Sequence, residues 1–205
     1  MRIIKSKQLG QAWQKSIKEI IGFGQIVNDD KGEIKELLDL FILVKKIEKN
    51  DPIIKQYGNK KMIKWMLNNF GKTTEVDDWG YSYGQRLYDF KGVNQIKYVI
   101  SRLKSNPESK SATISFMFPP EDIKHIPCII AIDFKIRDKK LIVTSFFRSQ
   151  DIGKKFYADA IAINSIAEKI SRSLSIRHQE FLFFIKSAHI YLNDIQILKP
   201  ILKWL

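Results

Sequence analysis

The sequence predicts an α+β protein with a mixed β-sheet and helices mainly on one face. Segments whose apolar residues recur at helical spacing alternate with short β-branched runs, and their order fits a sheet with helices gathered on one side. The 205 residues, of which 44% are hydrophobic, suffice for one well-filled core and are few for two. Because neither a repeat nor a linker interrupts the pattern, residues 1–205 are predicted to form a single domain.

The first half of the chain is predicted to contain two helices and one strand. Apolar residues at helical spacing mark each helix, and glycines follow both of them. A continuous apolar run bounded by polar residues marks the strand, with the carboxylate of Glu36 at its start. In order, the predicted elements are a helix over Lys7–Phe23, a turn over 28–32, a strand over Leu37–Val44, a turn-prone segment over 45–52 and a helix over Lys60–Phe70.

The second half is predicted to be richer in strands. It opens with an aromatic and glycine-rich segment that is either a loop shaping a pocket or a packed connection. The helix after it ends before Pro107, because the residue that precedes a proline is pushed out of the helical region. The predicted elements are the aromatic segment Trp79–Leu87, a helix over Val93–Leu103, a strand over Ala112–Phe118, a β-hairpin over Pro127–Ser149, a helix over Phe156–Ile170 and a final strand over Phe181–Leu192.

The predicted hairpin brings the only cysteine of the chain close to an arginine. If Asp138 and Lys139 form the loop, antiparallel pairing places Cys128 opposite Ser149, and the residue after Cys128 opposite Arg148. A nearby guanidinium favours the thiolate, which is the nucleophilic form of cysteine. A lone cysteine is more often a small buried hydrophobe and a strand-end arginine a surface charge, so the hairpin by itself favours that plainer interpretation.

One acidic residue breaks the apolar face of the longest predicted helix. Asp159 follows Phe156 by three residues and precedes Ile163 by four, so it falls on or beside the buried face. A buried carboxylate without a partner costs several kcal/mol, or its pKa rises until the group is neutral. We therefore expect Asp159 to have a partner in the protein or in a ligand.

The formal charge of +13 raises the question of an anionic partner. The basic residues are scattered, with no run of five or more, which argues against a nucleic-acid-binding protein and favours a phosphate-bearing small molecule. No apolar run approaches the ~20 residues that a membrane span needs, and the N-terminus has no cleavable apolar core. A single cysteine fits a reducing compartment, so we expect a cytoplasmic protein that binds neither nucleic acid nor membrane.

Five short motifs, in this order along the chain, resemble those of the thymidylate synthase family, which includes the pyrimidine nucleotide hydroxymethylases. Together they extend over roughly residues 31–193. The compact length and the Tyr-Ser-Tyr-Gly-Gln-Arg-Leu form are most similar to the short branch of the family found in archaea and some bacteria. The motifs are Tyr81–Arg86, Asn106–Lys110, Pro127-Cys128, Phe147–Asp151 and Ser187–Asn193.

The resemblance implies a thymidylate-synthase-like fold and a site for a pyrimidine nucleoside monophosphate. Cys128 would add as thiolate to carbon 6 of the base, so that carbon 5 attacks a one-carbon unit on methylenetetrahydrofolate or a related reduced pterin. Arg148 would bind the phosphate with its planar fork and keep the thiol ionised, and Ser149 would add a hydrogen bond. His189 and Tyr191, on one face of one strand, would bind the sugar hydroxyl.

Four further residues enter through the same resemblance. Asp151 would contact the pterin, and Glu36 is the candidate carboxylate for moving protons around the base. Tyr83, in the aromatic motif, is the remaining candidate catalytic residue. The family forms homodimers in which two adjacent arginines reach the partner's phosphate, and this chain has Lys110 and a serine at those positions.

Asp159 bears on the choice of base. It stands eleven residues after Arg148, where short-branch thymidylate synthases carry an asparagine and where the family's cytidylate hydroxymethylases carry an aspartate. A carboxylate accepts from both donors that cytosine presents once its ring nitrogen is protonated, whereas uracil would oppose it with a carbonyl oxygen. The resemblance therefore implies a dCMP or CMP hydroxymethylase. The alternatives are a thymidylate synthase acting on dUMP with a neutral Asp159, and a catalytically silent nucleotide-binding relative.

Overall fold

A computed structural model of the protein describes residues 1–74, 80–119 and 121–203, and at His178 the backbone alone. Trp79, where the predicted aromatic segment begins, lies outside these residues. The described residues contain seven strands, all in one sheet. The strands are β1 (Arg2–Gln8), β2 (Gln25–Asp29), β3 (Gly32–Lys46), β4 (Thr113–Ser115), β5 (Ile129–Arg137), β6 (Lys140–Asp151) and β7 (His178–Tyr191).

Seven α-helices accompany the sheet in the described parts of the chain. Asparagine or serine side chains cap the N-termini of three of them, at Asn59, Ser82 and Asn94, and accept the backbone amides that a helix start leaves unpaired. The helices are α1 (Leu9–Phe23), α2 (Pro52–Tyr57), α3 (Lys60–Gly71), α4 (Tyr83–Tyr88), α5 (Gln95–Ser105), α6 (Phe156–Ser173) and α7 (Ile195–Leu202).

The sheet is mixed, as the sequence predicts. Its strand order is β1-β3-β7-β6-β5-β4, and β2 pairs with the first half of β3. The pairs β1 with β3 and β6 with β7 are parallel, and the other pairs are antiparallel. Because β7 lies between β3 and β6, the C-terminal ends of β6 and β7 come next to the N-terminal half of β3.

The helices α1 and α6 pack on one face of the sheet, which confirms the predicted α+β layering. The Trp13 and Tyr157 rings join the two helices at 4.4 Å between centroids, and Phe156 meets Phe183 of β7 edge-on at 5.2 Å. The other face of the sheet carries apolar side chains that are exposed or half-buried. We call this set the open face, and its members are Ile3, Phe41, Leu43, Ile142, Phe146, Leu182 and Phe184.

The hairpin forms with the predicted loop, and its register departs from the predicted one only near the open end. Asp138 and Lys139 have φ angles of 49° and 59°, which matches the left-handed backbone of a tight two-residue turn. Near the open end a bulge between Ile129 and Ala131 shifts the pairing by one residue. The predicted opposition of Cys128 to Ser149 is therefore wrong, and the amide of Arg148 instead donates to the carbonyl oxygen of Cys128 at 2.9 Å.

Several predicted boundaries are wrong for identifiable reasons. The first helix begins at Leu9 and not at Lys7, because the preceding residues form β1 with its own alternating burial. The helix α2 was not predicted, although Asp51 accepts the amides of Ile53 and Ile54 and a proline follows it at the first helical position. The strand β4 is much shorter than Ala112–Phe118. The strand β7 is not the last element, since α7 follows it with Pro200 inside the helix.

Candidate active site

Three predicted motifs meet at one edge of the sheet, the edge at which the central strands β6 and β7 end and β3 begins. In the parallel pair of β6 and β7, Ser149 lies opposite Ser187 and Asp151 opposite His189. In the antiparallel pair of β3 and β7, Glu36 is also opposite His189, so it lies inside the strand and not at its start. The open end of the hairpin adds Cys128 beside the same end of β6. Residues far apart in sequence thus line one site.

The electrostatics at Cys128 differ from the prediction. Its thiol is half-buried, and burial raises its pKa above the usual value. The positive charges of Arg148, Lys155 and Lys31 lower the pKa, and the carboxylate of Asp159 raises it. Arg148 therefore acts in the predicted direction, but burial outweighs it, so the guanidinium alone does not keep the thiol ionised.

The side chain of Arg148 hydrogen-bonds to the two residues that precede Cys128. Its Nε donates to the carbonyl oxygen of Pro127 at 2.9 Å and its Nη2 to that of Ile126 at 2.7 Å. The residue is exposed, so solvent and ligands can reach it. Since a phosphate accepts from the same planar fork, a nucleotide bound at this edge of the guanidinium would replace one or both carbonyl contacts.

Asp159 is buried on α6, with 4% of its surface exposed, as its position in the helix predicts. Its protein partner is Gln150, whose Nε2 donates to Oδ2 at 2.7 Å. Burial raises the pKa of Asp159 to about 7, the Gln150 hydrogen bond and the charge of Lys155 oppose the rise, and the charge of Asp151 adds to it. A carboxyl group that titrates near neutrality can serve as proton donor or acceptor at physiological pH.

Tyr83 is buried close to Cys128. Burial raises the pKa of its hydroxyl well above the usual value, the charge of the Cys128 thiolate adds to that rise, and the nearby backbone of Ile129, the residue after Cys128, opposes it. Its ring packs against Phe70 and Phe116 with centroids 4.9 and 5.4 Å away. The short helix α4 thus holds a phenol against the start of β5.

His189 and Tyr191 form a polar pair at the end of β7. Their rings are perpendicular, with centroids 5.6 Å apart. His189 is buried, and its Nδ1 has no hydrogen-bond partner within the part of the chain that the structure describes. Tyr191 is half-buried, and burial raises its pKa. Because a buried polar atom without a partner is costly, Nδ1 is a ready contact for a bound hydroxyl group.

Two carboxylates complete this edge. Asp151 is buried, its Oδ1 accepts the backbone amide of Lys154 at 3.0 Å, and burial raises its pKa. The charge of His189 is among those that oppose the rise. Glu36 is half-buried and accepts a hydrogen bond from the hydroxyl of Ser187. Both carboxylates therefore lie beside the histidine.

Lys110 is the one predicted site residue that the chain does not bring to this edge. A hydrogen bond from Arg137 to the carbonyl oxygen of Glu108, at 3.4 Å, places its segment beside the turn of the hairpin. Cys128 lies at the opposite end of β5, nine residues before Arg137 and so about 30 Å away at ~3.3 Å per residue. Lys110 is exposed there.

Three residues of this site were not predicted. Gln150 lies inside a predicted motif, but its partner on α6 cannot be read from strand alternation. Lys155 precedes Asp159 by four residues, a helical spacing that the sequence does display. Lys31 follows β2, and only the pairing of β3 with β7 brings its charge to Cys128.

Comparison with known proteins identifies the family of this chain. The sequence model of the thymidylate synthase family matches residues 11–204. A relative from Methanosarcina mazei, named "putative thymidylate synthase", is 32% identical over 98% of this chain and 95% of its own length. Relatives of the same name from Methanothermobacter thermautotrophicus and Methanocaldococcus jannaschii are 29% and 27% identical over 98% and 94% of this chain, and 98% and 92% of their own lengths.

None of the described helices is long and apolar enough to cross a membrane.

The match of the family model to nearly the whole chain and the archaeal relatives confirm the resemblance carried by the five motifs. The chain belongs to the thymidylate synthase family, a family of transferases.

Proposed function

We propose that this protein transfers a one-carbon unit to carbon 5 of a cytosine nucleoside monophosphate, as a dCMP or CMP hydroxymethylase does. The observation that carries this proposal is the buried carboxyl group of Asp159, which is close enough to Cys128 to raise the pKa of the thiol. At the position where the family reads the base, a carboxylate matches protonated cytosine better than it matches uracil.

The site residues support the covalent step. The thiolate of Cys128 adds to carbon 6, and the positive charges of Arg148, Lys31 and Lys155 favour its ionised form against the effect of burial. Asp159, with a pKa of about 7, donates its proton to ring nitrogen 3 as the electron density moves there. The resulting carboxylate accepts hydrogen bonds from that N–H and from the amino group.

Other residues hold the nucleotide. We infer that Arg148 and Ser149 bind the phosphate, and that Nδ1 of His189 and the hydroxyl of Tyr191 bind the sugar. Glu36 accepts from Ser187 next to His189, which supports a role in moving protons around the base.

A reduced pterin fits the neighbouring carboxylate. The amino group and ring N–H of a pterin are donors, and Asp151 is a buried acceptor whose Oδ1 takes one backbone amide. Methylenetetrahydrofolate or a related reduced pterin would supply the one-carbon unit there. Tyr83, which lies next to Ile129, would separate the thiol of Cys128 from the hydrophobic core.

A second candidate is a thymidylate synthase acting on dUMP. It is favoured by the pKa of about 7 at Asp159, because about half of the carboxyl groups are then protonated at neutral pH. A protonated acid can donate to a uracil carbonyl and accept from the ring N–H, as an amide does.

Exchange of the hydrogen at carbon 5 separates these candidates, because addition at carbon 6 labilises that hydrogen. We expect faster exchange with CMP or dCMP than with UMP or dUMP, and no exchange with any of them in Cys128→Ser. Asp159→Asn should move the preference toward uracil. Faster exchange with dUMP in the unmodified protein would favour thymidylate synthase, and no exchange with any of the four would favour a silent relative.

We also propose a homodimer formed through the open face, acting in the cytoplasm. The rings of Phe41 and Phe184 are tilted against each other with centroids 4.8 Å apart, and the centroid of Phe146 lies 6.4 Å from that of Phe184, so an apolar patch extends over three neighbouring strands. Such patches mark protein interfaces. Phe184→Lys should yield a monomer in sedimentation equilibrium, whereas the control Ile197→Lys, at an exposed position on α7, should not. A dimer that survives Phe184→Lys would exclude this face.

A further inference from the structure

Gln150 is the only side chain that hydrogen-bonds to Asp159 among the described residues. Gln150 is 2% exposed and Asp159 is 4% exposed, and their hydrogen bond of 2.7 Å connects β6 to α6. The bond occupies Oδ2 and leaves Oδ1 as the oxygen that can face a ligand. In a buried site a hydrogen bond to a charged group is stronger than one to a neutral group.

We propose that Gln150 is a positioning residue that sets the base preference, because its amide fixes the orientation of the Asp159 carboxyl group and stabilises it as a carboxylate. This role rests on the proposed cytosine chemistry. It extends that proposal, since Gln150 touches neither nucleotide nor pterin in it and acts only through Asp159.

The proton balance shows where Gln150 acts. A lone pair of the Cys128 sulfur forms the bond to carbon 6, the π-electron pair of the ring moves toward nitrogen 3, and nitrogen 3 takes the proton from Asp159. The carboxylate left behind keeps the Gln150 N–H on Oδ2 and accepts from the base. Nitrogen 3 of uracil already carries a hydrogen and is not basic. Stabilising the carboxylate of Asp159 therefore favours addition of Cys128 to cytosine and not to uracil.

The other charged and titratable groups around Asp159 do not replace Gln150. Lys155, one turn earlier on α6, favours the carboxylate by its charge, and Asp151 at the end of β6 opposes it. Asp159 in turn raises the pKa values of Tyr83 on α4 and of Cys128 before β5. None of these groups has a hydrogen bond to the carboxyl group within the described residues, so orientation depends on the Gln150 amide.

Gln150→Met tests this role because methionine has a similar shape and no donor. Loss of a charge-assisted hydrogen bond should raise the pKa of Asp159 by about one unit, which is about tenfold in the stability of the carboxylate. We expect the ratio of cytosine to uracil exchange rates to fall by about tenfold. The carboxyl pKa is measured by ¹³C NMR titration of the nucleotide-free protein, with Asp159→Asn assigning the signal.

Gln179→Met is the matched control. Gln179 donates to the hydroxyl of Ser171 at 2.8 Å, so this variant also removes a glutamine hydrogen bond between the sheet and α6, at the far end of the helix. It should leave the exchange ratio and the pKa of Asp159 unchanged. If Gln150→Met does not fold, Gln150→Asn, which keeps the amide and shortens its reach, is measured in the same way.

The outcomes separate this inference from the proposed function. A preference for uracil in the unmodified protein would overturn the cytosine assignment and the role of Gln150 in base choice together. A cytosine preference that Gln150→Met leaves unchanged would overturn Gln150 alone. Equal losses with all four nucleotides, at an unchanged ratio and pKa, would show a purely structural role.

Discussion

Burial of Asp159 should impose a pH-dependent cost on stability that Asp159→Asn removes. The pKa of the carboxyl group rises from 3.8 to about 7 on folding, roughly three units. At about 1.36 kcal/mol per unit this corresponds to roughly 4 kcal/mol. The amide is nearly isosteric with the carboxyl group and can still accept from Gln150, so the substitution changes charge more than packing.

The direction of the pH dependence follows from the number of protons that the folded and the unfolded chain bind. Between about pH 4 and about pH 7 the unfolded chain has lost the Asp159 proton and the folded chain keeps it, so stability falls as pH rises. Above the folded pKa the cost is complete and constant. The variant has no such group. Its free energy of unfolding, relative to the unmodified protein, should therefore increase by roughly 4 kcal/mol from about pH 4 to about pH 8.

Urea unfolding at both pH values and one fixed protein concentration measures this difference. The difference between variant and unmodified protein cancels the titration of other groups, except where they interact with Asp159, as Asp151 does. Asp39→Asn is the control, because Asp39 is in a surface ion pair with Lys186 and its φ of 58° is one that asparagine tolerates. An equal effect of Asp159→Asn at both pH values would show that folding does not raise the pKa of Asp159.

Three other substitutions have defined outcomes. Cys128→Ser should abolish turnover while nucleotide binding persists in calorimetry, because a hydroxyl of similar volume is a far poorer nucleophile; near-normal turnover would exclude the mechanism. Arg148→Met should weaken monophosphate binding and raise the pKa of Cys128, since its charge lowers that pKa, and alkylation rate against pH would reveal an unchanged thiol. Arg86→Met should destabilise the fold by about 3–5 kcal/mol in urea unfolding, because it leaves Asp122 buried without its 2.6 Å ion pair; a loss under about 1 kcal/mol would contradict this.

Local patterns were sufficient for most of the architecture. The long helix over Phe156–Ile170, the hairpin loop at Asp138 and the burial of Asp159 follow from periodicity and turn chemistry, which depend on neighbours in sequence. Elements without a strong local period were missed. The strand β1 is one of these, because it alternates surface lysines with few apolar residues, and α7 is another, because it contains a proline.

Residue types and motif order are written in the sequence, so the sequence alone identifies candidate residues for the chemistry: Cys128, Arg148, Asp159 and His189. The pKa values and the partners of these groups depend instead on how distant segments pack together. A bulge in β5 moved Cys128 opposite Arg148, and desolvation by the packed core raised the pKa of the thiol beyond what the guanidinium offsets. Gln150 meets Asp159 only because β6 and α6 pack together. Register shifts and desolvation depend on the sum of many contacts between distant segments, and no local pattern contains that sum.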